Sequence, residues 1–259
     1  MSASKPVALV TGASSGIGEV FARKLSEKGY HVLLVARRRE RLEKLAAELS
    51  SAEVLVADLT LDSDLQKVEH RIDAEPRLEF LVNNAGFGVL GAYFEADVNA
   101  QDRMHRLHII ALGRLTHAAL KGMVKRSKGS IINVSSVAGF LQMPFSVSYN
   151  ATKAWLNSFT TGLYLELKSL RSPVRVQSLC PGFTYTEFQE TAGVDRASIP
   201  GSFWMSAEDV VETSLRSLQR DKLIVVPGWR YRLFLAALRI LPQFVKRFLA
   251  IQYGRSSRK

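Results

Sequence analysis

The chain has 259 residues, 47% hydrophobic and 23% charged, a balance that supplies a sizeable core and excludes an intrinsically disordered chain. The net charge of +11 is local, because residues 216–259 carry eleven Lys and Arg against the single acid Asp221, and the rest is nearly neutral. Cys180 is the only cysteine, which excludes an internal disulfide, and with no apolar signal segment around Lys5 the expected compartment is a reducing cytosol.

Short apolar runs alternate with amphipathic stretches from the start. Strands are expected at 7–11, 31–36, 54–57, 80–83, 130–135 and 174–179, and helices between them at about 17–28, 40–49, 63–72, 102–126 and 148–170. Continuous Val, Leu and Ile runs separated by helices are the pattern of a parallel sheet covered on both faces. The fold class is therefore α/β, one doubly wound sheet in one domain whose core runs from about 6 to 226. Regularity lapses from Cys180 to Gly201, resumes with a helix capped by Ser206, and ends in a strand at 223–226 that stops at Pro227 and Gly228.

The tail from about 228 to 259 places apolar residues at near-helical spacing, from Leu233 to Ile251, with Pro242 dividing two helices. Arg232, Arg239, Lys246 and Arg247 interrupt it, so it does not span a membrane. It reads as a packed C-terminal helical extension, a pocket cover, a subunit interface, or a peripheral contact with a membrane or an acidic partner. No nucleic-acid-binding motif accompanies the basic residues.

The first strand runs into Thr11-Gly12-Ala13-Ser14-Ser15-Gly16-Ile17-Gly18 and then a helix. Glycines let a pyrophosphate approach the backbone, and the open amides of the helix start favour its charge. An acid about 20 residues further on would grip an adenosine 2′-hydroxyl, yet the second strand ends in Ala36-Arg37-Arg38-Arg39. Guanidinium groups suit a 2′-phosphate, so NADP(H) is expected rather than NAD(H), with Arg37 as the main contact and Arg38 beside it.

Tyr149 and Lys153 lie four residues apart at the start of a predicted helix, which stacks them on one face. A cation there is expected to lower the phenol's pKa and make it a proton donor and acceptor. Together with the glycine loop, Asn83-Asn84-Ala85-Gly86, Ser136, and Pro181-Gly182 with Thr186, this set resembles the short-chain dehydrogenase/reductase family over about residues 6–226. The resemblance implies a Rossmann-like fold, an NADP(H)-dependent oxidoreductase acting on a carbonyl or secondary alcohol, and a homodimer or homotetramer. An NADP(H)-binding sensor or scaffold is the alternative from another class.

By that resemblance Ser136, thirteen residues before Tyr149, hydrogen-bonds the substrate oxygen, Tyr149 exchanges a proton with it, and Lys153 holds the nicotinamide ribose. Gly12, Ser14, Ser15, Gly16, Ile17 and Gly18 form the phosphate loop, and Asp58 contacts adenine. The asparagine segment, through Asn83, Asn84, Ala85 and Gly86, borders the cofactor, while Pro181, Gly182, Thr184 and Thr186 complete its nicotinamide side. One departure is His108, standing where the family commonly has an asparagine 28 positions before the serine. It either preserves a proton relay at its backbone carbonyl or fills a helix interior.

Apolar residues cluster in the segments that the family uses for its substrate: Phe87, Val89 and Leu90; Phe140, Leu141, Met143 and Phe145; Phe183, Phe188, Phe203 and Trp204. The only basic residue among these stretches is Arg196, so a lipophilic carbonyl or alcohol is expected rather than a small anion.

Overall fold

A computed structural model describes residues 5–191 and 199–256. Seven parallel strands form one sheet in the order β3-β2-β1-β4-β5-β6-β7. They are β1 (Val7–Thr11), β2 (His31–Ala36), β3 (Ala52–Val56), β4 (Leu78–Asn83), β5 (Ser130–Val134), β6 (Arg175–Leu179) and β7 (Ile224–Val225). β3 starts two residues before its expected place because its pairing with β2 sets Val32 opposite Ala52. β7 is only two residues long, paired to the end of β6 through Leu179 and Val225.

Side-chain alternation along the strands builds two cores. Val7 and Leu9 of β1 join one, with α3 (Asp62–Asp73), α5 (Leu112–Lys125) and α6 (Val147–Ser169); Ala8 and Val10 join the other, with α1 (Gly16–Glu27), α2 (Arg39–Glu48) and α8 (Ala207–Gln219). The chain moves outward from β1 in both directions, so the order reverses between β1 and β4. A crevice opens there beyond the C-terminal strand ends.

The long helix expected at 102–126 differs in two ways. It begins earlier, as α4 (Val98–His105), because the Asp97 carboxylate caps it by accepting from the Asn99 and Ala100 amides. Between α4 and α5, Arg106–Ala111 form a π-helical turn, a feature that apolar periodicity does not encode. The loop after β6 also holds a short helix, α7 (Glu187–Thr191), that no periodicity announced. The tail forms α9 (Trp229–Ile240) and α10 (Gln243–Ser256) on either side of Pro242, as expected. Among the described residues no helix is long and apolar enough to cross a membrane.

Candidate active site

The crevice is a cleft of about 1490 Å³. Every expected site residue lines it except Gly18, Asn83 and His108. At its sheet edge Gly12 has φ +66°, and a Cβ there would meet the Asn84 amide at 2.8 Å, so only glycine fits. The Thr11 hydroxyl ties this loop to the end of β4, accepting from the amides of Asn84 and Ala85 at 2.9 and 3.0 Å. Asn84 closes the link by donating to the Thr11 and Gly12 carbonyls. Asn83 does not border the cleft. Its buried amide donates to Thr116 and Asn133, joining β4 to β5 and α5, which corrects its expected place beside the cofactor.

The arginine cluster divides differently from the sequence reading. The Arg37 side chain is 72% exposed and reaches only the Asp58 carboxylate, at 3.8 Å. Arg38 turns into the loop, donating to the hydroxyls of Ser14 at 2.9 Å and Ser15 at 2.7 Å. It also pairs with Glu187 of α7 at 2.7 Å, and Arg41 grips the same carboxylate. The two guanidinium groups hold the Glu187 carboxyl below its ordinary pKa. An anion therefore already sits on the Arg38–Arg41 pair. Sequence reasoning missed Arg41 and Glu187, because their meeting is set by tertiary contact across 146 positions.

Thr186 packs over the loop, since a Cβ at Gly16 would meet its methyl at 2.8 Å. Thr184 is buried, its hydroxyl donating to the Gly182 carbonyl. The Tyr231 ring of α9 lies directly on Gly182, where a Cβ would overlap it at 2.0 Å. Its hydroxyl accepts from the Phe183 amide and donates to the Phe203 carbonyl, clamping two loop segments together.

Ser136, Tyr149 and Lys153 converge on the cleft floor. The Ser136 hydroxyl accepts from the Ala138 amide and donates to the Pro181 carbonyl at 3.4 Å, and it lies near enough to the Tyr149 phenol to pull its pKa down. Lys153 donates to the Val134 carbonyl at 3.0 Å, and its ammonium stands 5.6 Å from the phenol ring centre. The expected lowering of the phenol's pKa is not what this geometry produces. Burial pushes Tyr149 up to about 12, with Ser136 pulling the other way, and burial pushes Lys153 down to about 8. The phenol is thus held neutral, the form that donates a proton.

His108 lies on the π turn, buried behind the floor. Its Nε2 accepts from the Phe87 amide at 3.3 Å. Because Thr152 Oγ1 donates to the Tyr149 carbonyl at 2.8 Å, His108 Nδ1 must donate to Thr152, at 3.0 Å. Desolvation, with the charges of Lys153 and His105, holds its pKa well below the ordinary value, so the ring is a neutral strut between the Gly86-Phe87 segment and α6.

The outer cleft is apolar. Phe87, Leu90, Leu141, Met143, Phe145, Phe183, Phe188 and Phe203 line it as expected, joined by Leu107, Ile199, Tyr231, Phe234 and Tyr253. Val89, Phe140 and Trp204 do not; Trp204 stacks on Tyr185 instead. Arg196 lies outside the described residues.

Comparison with known proteins agrees with this geometry. The sequence profile described as short chain dehydrogenase matches residues 6–197. Sulfoacetaldehyde reductase 2 of Chromohalobacter salexigens is 37% identical over 219 residues, covering 80% of this chain and 85% of that protein. The very-long-chain 3-oxoacyl-CoA reductase of Macaca fascicularis is 31% identical over 234 residues, covering 86% and 73%. A short-chain dehydrogenase from Sphingobium yanoikuyae, solved in complex with NADPH, superposes with a TM-score of 0.82 at 34% identity, covering 92% of this chain and 97% of that one. A glycine loop, a Ser-Tyr-Lys floor and these matches together place the chain in the short-chain dehydrogenase family of oxidoreductases, which act on alcohol and carbonyl groups.

Proposed function

We propose that the protein is an NADP(H)-dependent reductase of lipophilic ketones or aldehydes, running in reverse as a secondary-alcohol dehydrogenase. One observation carries the reading: Ser136, Tyr149 and Lys153 meet on the floor of a cleft whose inner wall is the glycine loop with Arg38 and whose outer wall is apolar.

The residues present fit a nicotinamide dinucleotide with a 2′-phosphate. Arg38 and Arg41 already hold one carboxylate anion, and the Ser14 and Ser15 hydroxyls stand beside Arg38. Gly12, Gly16 and Ile17 offer an open helix start for the pyrophosphate, Asp58 borders the adenine end, and Asn84, Ala85 and Gly86 with Pro181, Gly182, Thr184 and Thr186 line the rest. When bound, the cofactor supplies or accepts the hydride. The preference for NADP(H) is also supported by the NADPH-bound relative from Sphingobium yanoikuyae.

Ser136 holds the substrate oxygen, and Tyr149, neutral in its buried seat, gives that oxygen its proton. Lys153, charged below about pH 8, stabilises the phenolate left behind. Among the described residues lining the outer cleft none is basic, and Glu95 adds a negative charge. That wall disfavours a small anion beside the reacting carbon and suits an apolar chain, such as the very-long acyl chain named for the 3-oxoacyl-CoA reductase, rather than the small anion named for the sulfoacetaldehyde enzyme. Exposed Ile110, Leu165 and Leu170 support self-association as a homodimer or homotetramer, which light scattering tests: a monomer mass rejects it.

The deciding experiment is NADPH consumption with a panel of lipophilic and anionic carbonyls. Wild type turns over the lipophilic set, and Tyr149→Phe loses about 100-fold or more of kcat. Turnover confined to anionic carbonyls, or unimpaired activity in the variant, defeats the reading.

A further inference from the structure

We infer that α9 and α10 form a docking face for an anionic lipid bilayer. In α9, Tyr231 is buried and Leu235 and Leu238 half-buried, a stripe repeating every three or four residues that packs inward. The opposite stripe is also apolar, yet it is exposed: Trp229, Leu233, Ala236 and Ile240, the last 84% accessible. A solvated helix face would be polar there. Arg230 flanks this stripe on one side and Arg232 and Arg239 on the other. α10 adds further exposed apolar side chains. Gly254 is buried against Pro144, while Phe244, Phe248 and Ile251 lie outward, with Phe244 73% accessible, beside Arg247 and Arg255.

Charge selects the occupant. From Trp229 onward the chain holds no acid, so a second copy docked through the same face would set two uncompensated basic surfaces against each other. Aromatic and aliphatic residues interleaved with arginines match the boundary between anionic headgroups and acyl chains, where the arginines meet the headgroups and the rings sink below them. The same helices contribute Tyr231, Phe234 and Tyr253 to the cleft wall, so docking brings the substrate entrance close to the lipid. The docking claim stands apart from the substrate reading, because it is measured without turnover.

The test is flotation of the full-length protein with vesicles of phosphatidylcholine alone or with added phosphatidylserine. Wild type should float with the mixed vesicles, weakly with the neutral ones, and should be released by high salt. Two triple variants spare the inward stripe: Leu233→Glu/Ile240→Glu/Phe248→Glu and Arg232→Glu/Arg239→Glu/Arg247→Glu. Each should lower the bound fraction at least tenfold with an unchanged melting temperature. Absence of wild-type flotation, equal binding to neutral vesicles, or unimpaired binding by both variants overturns the inference. So does dissociation of an oligomer by the variants with vesicle binding intact, which would assign the face to a second copy. If a variant does not fold, the wild-type contrast between the two vesicle types and its salt release still decide.

Discussion

At the scale of single residues, the arrangement around Tyr149 sets the pH behaviour. Lys153 is charged below about 8 and loses its proton above it, so reductive kcat/KM should hold steady below that pH and fall about tenfold per unit above it. A profile that keeps rising through pH 9 would contradict this. His108 is already neutral, so His108→Asn should leave that midpoint in place while lowering kcat about tenfold, with KM little changed. The loss reflects a shorter side chain that no longer spans Phe87 and Thr152. For the cofactor, Arg38→Ala should raise KM for NADPH about 10-fold or more, from a lost charged hydrogen bond, with little change for NADH. Arg37→Ala should do less. Which of these two adjacent, chemically identical arginines turns toward Ser14 was not legible from sequence; only the turn after β2 decides it.

At the scale of elements, most boundaries were legible because each buried strand is a continuous apolar run and each helix an amphipathic one. The errors have local causes. Asp97 is a capping residue by type, but the apolar period of the helix begins several residues later, so the start was placed at 102 rather than 98. The π turn at Arg106–Ala111 amounts to one extra residue in the helical path, invisible to a pattern read every three or four positions. Asp97→Ala should lower stability by about 1 kcal/mol in a denaturant titration, the usual worth of such a cap. Deleting Ile109 should restore regular winding and swing His108 away from Phe87 by about a quarter turn. That variant should remain folded by circular dichroism and lose most activity; full activity would mean that the turn positions nothing.

At the scale of the whole molecule, the sheet order brings the glycine loop, the Asn84 segment, Ser136 and Pro181 to one edge, although they are separated by most of the sequence. That convergence was legible, since parallel strands put every strand end on the same side. The contribution of the tail to the cleft was legible only as one of several options, because Tyr231 meets Gly182 through tertiary packing. The apolar side chains of the loops were recognised as a group, yet Val89, Phe140 and Trp204 face elsewhere, and which side a loop residue presents has no periodic signature.

Tyr231 ties two loop segments to a helix that is itself mostly exposed. Heat should therefore silence the enzyme before it melts the sheet. Residual turnover after brief incubation at graded temperatures should decline several degrees below the midpoint seen in far-ultraviolet ellipticity, and Tyr231→Phe should widen that gap. Coincident curves would mean that tail and sheet come apart in one cooperative event.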